Sequence, residues 1–123
     1  MNKNDILNMP AGREMDALIA VAIGWVIEDF TAISPSGGKW ARNVHGDDGW
    51  LPYYSADIGA AFEILQAFGK KEYLWDLKNN SEGRGTPSTF CGFYKNNYIW
   101  SVVCEGAALA ICRAALLAYE ANI

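Results

Sequence analysis

Residues 89–104, TFCGFYKNNYIWSVVC, decide how this chain folds. Two apolar runs flank Asn96 and Asn97. Asparagine tolerates the positive φ that a two-residue hairpin turn requires, so the stretch reads as a β-hairpin. Pairing across that turn sets Lys95 opposite Tyr98, Phe93 opposite Trp100 and Cys91 opposite Val102. The alternate positions pair Tyr94 with Ile99 and Phe90 with Val103. Both faces are therefore apolar, whereas a sheet with one wet side alternates apolar with polar. The expectation is a sheet covered on both sides by helices. Cys91 and Cys104 are not direct partners in this register, which excludes a bridge between them.

The flanking segments supply the cover. EYLWDL (72–77) reads as a further strand, and NNSEGRGTPS (79–88) as a loop. After the hairpin comes an alanine-rich helix over residues 107–120, whose apolar side chains spread wider than one amphipathic stripe. Ala107, Ala110, Ala114 and Ala118 let a neighbour approach closely, so this helix should touch the sheet and another helix, of its own chain or of a second subunit. Upstream, Ser55 is a good N-cap for a helix carrying Ile58, Ala61, Phe62, Leu65 and Phe68 on one face, with Gly69 as its end. Nearer the start, a helix capped by Asn4, with Pro10 in a first-turn position, carries Met15, Leu18, Ile19, Ala22 and Ile23 at helical spacing. Gly24 suits its left-handed stop. Arg13, Glu14 and Asp16 decorate its early turns. Between 25 and 54, GWVIEDFTAI and GKWARNV read as strands joined by the turn SPSGG, and HGDDG as a loop. The sum is one α+β domain over residues 1–123, a three-layer α/β/α sandwich with a small, mainly antiparallel sheet and helices on both faces.

Composition limits the function. The chain has 123 residues, 51% of them apolar and 20% charged, with a formal net charge of −4. That balance argues against binding a nucleic-acid polymer, which requires many phosphates to be neutralised by Lys and Arg. A small nucleotide in a local basic pocket stays open. Three cysteines, Cys91, Cys104 and Cys112, form no disulfide framework and suit buried thiols in a reducing compartment. No signal-peptide pattern is seen at the start, and no apolar run approaches the ~20 residues of a membrane helix. These features point to a soluble intracellular protein with no membrane partner.

Three segments carry a resemblance: MPAGREMDALIAVAIGW (9–25), YYSADIGAAFEIL (53–65) and LAICRAALLA (109–118). In order and spacing the chain resembles the phage ABA sandwich domain family, small proteins of bacteriophages and prophages. The last segment is the most specific, while residues 30–49 do not align. The resemblance implies a helix–sheet–helix sandwich and a phage origin, hence action in the host cytoplasm. The family has no established enzymatic activity, so the resemblance implies no chemistry.

Candidate contact residues follow from charge and aromaticity. Arg113 sits alone among apolar side chains; it either pairs with Glu14 or Asp16 across helices or grips an anion. His45, the one histidine, with Asp47 and Asp48 falls short of a zinc or calcium site and reads as a solvated loop, so no metal is expected. SPSGGKW lacks the spacing of a phosphate loop, yet Lys39 and Arg42 could meet an anion. Arg84, between two glycines, lies in an exposed connector or in a lid. Trp40, Trp50, Tyr53 and Tyr54 are core aromatics or a stacking platform. No Cys–His or Ser–His–Asp spacing stands out, so an enzyme is not expected, nor any cofactor. The reading is a non-catalytic, homo-oligomeric protein that associates through helix surfaces. It sequesters a small anionic nucleotide signal of host antiviral defence, with Lys39, Trp40, Arg42, Trp50, Tyr53, Tyr54 and Arg84 as ligand contacts. The alternative is a protein–protein interaction module that blocks or redirects a host or phage protein.

Overall fold

The computed structural model of the chain describes residues 2–26, 40–42, 48–79 and 88–121. The hairpin forms in the expected register. Strand β4 (Thr89–Lys95) pairs with β5 (Tyr98–Cys104), setting Lys95 against Tyr98, Phe93 against Trp100 and Cys91 against Val102. Asn96 and Asn97 hold φ of 52° and 69°, the left-handed geometry that a two-residue turn imposes. Thr89, not Cys91, stands opposite Cys104, and all three cysteines are free thiols. Strand β3 (Leu74–Asn79) adds to the other side of β4, giving an antiparallel sheet of order β3-β4-β5.

Helix α4 (Ala107–Ala121) is the centre of the molecule. It contacts β4, β5 and three further helices, α1 (Lys3–Asn8), α2 (Arg13–Ala22) and α3 (Ile58–Lys70). Its alanines make this possible. Ala108, Ala110, Ala114, Ala115 and Ala118 are all buried, so neighbours close in from several sides of one helix. The wide apolar girth of this helix is thus satisfied within one chain. Phe68 of α3 completes the core, with its ring centroid 4.9 Å from that of Phe93 and 5.0 Å from that of Tyr73.

The chain has the expected α+β class, an antiparallel sheet with helices packed on it. The described helices lie against one face, that of Cys91, Phe93, Trp100 and Val102. On the other face Leu74, Ile99 and Val103 are 73%, 64% and 52% exposed. Across that outer face the register forms three rows: Leu74–Tyr94–Ile99, Asp76–Gly92–Ser101 and Lys78–Phe90–Val103. Asp76 and Lys78 of β3, beside the Gly92–Ser101 pair that the hairpin itself sets between its apolar pairs, make this face amphipathic. Phe90 and Tyr94 lean over Gly92, where an added Cβ would lie 2.8 Å from the Tyr94 hydroxyl. Tyr94 O–H donates to Asp76 at 3.0 Å, and the Lys78 ammonium sits 5.0 Å from the Phe90 ring centroid.

Several boundaries differ from the sequence expectation. Asn2, not Asn4, caps α1: its side chain accepts from Asp5 N–H while Asp5 accepts from Asn2 N–H. Pro10 falls in the link between α1 and α2, two separate helices. Gly24 does take the left-handed stop, φ 109°. Asp57 caps α3 because the Ser55 side chain is engaged elsewhere. That helix runs past Gly69 to Lys70, and Glu72 takes the positive φ of 71°. Ile64 joins its buried face, while Ile58 and Phe62 are exposed. Trp40–Arg42 forms β1 as read, but Asp48 and Gly49, expected in a loop, belong to its partner β2 (Asp48–Trp50). The SPSGG turn lies outside the described residues. No described helix is long and apolar enough to cross a membrane.

Candidate functional site

An open hollow of about 560 Å³ lies at the hairpin end of the sheet. The turn builds it. Asn96 and Asn97 line it, flanked by Tyr94, Lys95 and Tyr98. Glu72 closes one side, and Leu74 and Ile99 continue its wall onto the outer sheet face. Tyr98 stacks on Trp100, with ring centroids 5.9 Å apart and planes within 16°. The Lys95 ammonium donates to the Lys71 carbonyl at 2.9 Å and lies 4.7 Å from the Tyr73 ring centroid. Two of its three N–H donors are left for another acceptor. Burial, and then the Asp76 carboxylate that accepts its bond, push the Tyr94 phenol above its usual pKa, so it stays a donor.

Two of the charged residues that decorate the early turns of α2 form a buried clasp. Arg13 and Asp16 are both buried and pair at 2.8 Å. The same guanidinium donates to the Leu51 carbonyl at 2.5 Å and the Pro52 carbonyl at 3.1 Å, and rests 4.0 Å from the Tyr53 ring centroid. The other Asp16 oxygen accepts from Ser55 N–H at 2.7 Å and from Ser55 O–H at 2.6 Å. Ser55 Oγ in turn accepts from Gly12 N–H at 2.9 Å. The clasp ties the start of α2 to the segment that leads into α3. An Arg and an Asp at i and i+3 in the first turn were the available signal, but only the fold shows what covers them.

Arg113 knits helices, though not by the ion pair expected. It donates to the Met9 carbonyl at 2.9 Å, holding α4 to the end of α1, and Asp16 is committed to Arg13 and Ser55. Of the proposed ligand contacts, Lys39 and Arg84 lie outside the described residues, as do His45 and Asp47. Trp40, Arg42 and Trp50 share the β1–β2 ribbon, Trp40 opposite Trp50 and Arg42 opposite Asp48. Tyr53 is exposed but occupied on one face by Arg13. Tyr54 is a core side chain, its phenol pKa pushed up by burial, so no ligand can stack on it without opening the core. The residues that line the hollow were not in that set. Their signal was the hairpin turn itself, read for structure and not for contact.

Catalytic chemistry finds little to work with among the described residues. Burial raises the Cys91 thiol to about 12 and pushes Cys112 up as well, which makes both inert as nucleophiles. Cys104 is raised by burial against the opposing pull of Arg113. Among the described residues no group of three or more His, Cys, Asp or Glu side chains could hold a metal ion.

Residues 18–116 match the sequence profile of the phage ABA sandwich domain. No curated protein matches the chain. Among solved structures, the 2.0 Å crystal structure of a phage protein from Bacillus cereus ATCC 14579 is similar, with a TM-score of 0.64 at 22% sequence identity, covering 89% of this chain and 92% of that one. At that identity the likeness speaks to fold alone.

Proposed function

Because this chain belongs to the phage ABA sandwich domain family, we propose that it is a phage-encoded, non-catalytic binding protein that sequesters a small anionic nucleotide signal of host antiviral defence in the host cytoplasm. One observation carries the reading: the hollow at the hairpin end is nucleotide-sized and combines a stacking surface, amides and a cation. Tyr98, exposed at the hairpin end, offers its ring to a base, Asn96 and Asn97 offer amides to its edge, and Lys95, the cross-strand partner of Tyr98, offers an ammonium to a phosphate. Lys95 is opposed by Glu72 in the same wall, so stacking and amide contacts outweigh charge in this site. The test is calorimetry of the purified chain against cyclic dinucleotides, cyclic trinucleotides and ADP-ribose derivatives. Binding by one class, lost in Tyr98→Ala and weakened at least tenfold in Asn97→Gly, supports the reading. No heat across the panel rejects it.

The second reading is an interaction module that blocks or redirects a host or phage protein. The exposed aliphatic side chains of the outer sheet face favour it. A ligand-free chain that recovers one defined host or phage protein from an infected lysate, and loses it when Val103 becomes Lys, supports this reading over the first.

A further inference from the structure

The outer sheet face has a pattern that fits a copy of itself. We propose that two chains pack these faces together about a two-fold axis running along β4, and that the hollow is one half of a ligand site closed by both copies.

The choice of axis follows from the three rows. An axis in the interface and perpendicular to the strands would bring Asp76 against Asp76 of the other copy and Lys78 against Leu74. Buried like charges make that arrangement costly. An axis along β4 exchanges β3 with β5. Leu74 then meets Ile99 of the second copy, two exposed aliphatics covering each other. Asp76 meets Ser101, a carboxylate facing a hydroxyl that can donate to it while Tyr94 holds the other oxygen. Lys78 meets Val103, its stem covering the methyls and its ammonium at the rim. Tyr94 and Phe90 on the central strand meet their own counterparts, aromatic on aromatic. Every row is matched in kind, as an isologous interface demands. Aligned packing of two sheets at about 30° accommodates the twist of each.

The same axis brings both hairpin ends to one side of the dimer. Leu74, Tyr94 and Ile99 belong both to the outermost row and to the wall of the hollow. The hollow is open in a single chain, and the second copy supplies the missing wall. This half of the inference rests on the nucleotide reading; the dimer does not.

Sedimentation equilibrium at tens of micromolar, without ligand, should return twice the chain mass. Val103→Lys sets an ammonium against Lys78 of the second copy and should return the single-chain mass; adding Lys78→Glu should restore the dimer. Val103 lies outside the hollow, so loss of nucleotide binding in Val103→Lys together with the dimer shows that both copies make the site. A wild-type chain of single mass, or a Val103→Lys chain that stays dimeric, overturns the inference. A monomer that binds nucleotide leaves the proposed function standing; a dimer that binds none leaves the interface standing.

Discussion

Replacing Asp16 by Asn is the sharpest perturbation the structure offers. The side chain keeps its size and loses its charge. Asp16 is 1% exposed, and both of its oxygens accept: one from Arg13, the other twice from Ser55. An amide has one acceptor oxygen and one donor nitrogen. Turned one way, its N–H2 faces the Arg13 guanidinium; turned the other, it faces Ser55 N–H. Either way two donors meet in a buried site, and Arg13 keeps its charge with no anion beside it. Breaking a buried pair from one side costs about 3–5 kcal/mol. Domains of this kind hold about 5–15 kcal/mol in all. With about 4 °C per kcal/mol at this chain length, the melting temperature should fall by about 12–20 °C. Urea unfolding followed by tryptophan fluorescence measures the free-energy loss, a thermal scan measures the fall in melting temperature, and an unchanged m-value shows that only the native state was weakened. Ser55→Ala should cost less, about 1.5–3 kcal/mol, because Ser55 N–H still reaches the carboxylate. A loss under about 1 kcal/mol in Asp16→Asn would show that the clasp does not hold α2 to the α3 lead-in, and the account of this buried network would fail.

Other outcomes follow from single contacts. Arg113→Ala removes the bond to the Met9 carbonyl and the stem packed beside it, and should cost about 1–2 kcal/mol by denaturant titration, with the loss confined to stability. Asn97→Ala must hold φ of 69° with a side chain that gains nothing there, so it should lose about 1–2 kcal/mol, whereas Asn97→Gly should match or exceed the wild type in urea midpoint. Alkaline pH should destabilise the fold. Burial keeps Cys91 protonated up to about 12 and Cys112 beyond its usual range, while unfolded thiols ionise near 8.5. The folded state then binds more protons than the unfolded one, so stability, intact below that point, falls as pH rises through it. Each thiol contributes a slope of roughly 1.4 kcal/mol per pH unit. Urea midpoints between pH 7 and 10 should show the decline, and Cys112→Ala should make it shallower; equal slopes in the two proteins would remove the Cys112 thiol as a cause.

What could be read from the chain alone was what depends on neighbours a few residues away. The Asn96-Asn97 turn sets the register of β4 on β5, since a two-residue loop admits one pairing and a slip of one residue would turn every side chain over. The alanines of residues 107–118 announced a helix crowded on several sides, and Gly24 the stop of α2. The buried clasp could not be read. Asp16 and Ser55 are 39 residues apart, and a carboxylate in a helix's first turn looks like a solvated one until something packs over it. The cap of α3 moved to Asp57 for the same reason, because Ser55 had been drawn away by Asp16. Nor could alternation say which face of an oily ribbon the helices take. Period two marks the two sides as different without ranking them; the described helices pack on the side of Cys91, Phe93 and Val102, and Leu74, Ile99 and Val103 on the other side are left bare. Strand, turn and helix are local and were written in the residues; burial is a property of the assembled surface, and the tertiary structure alone decided it.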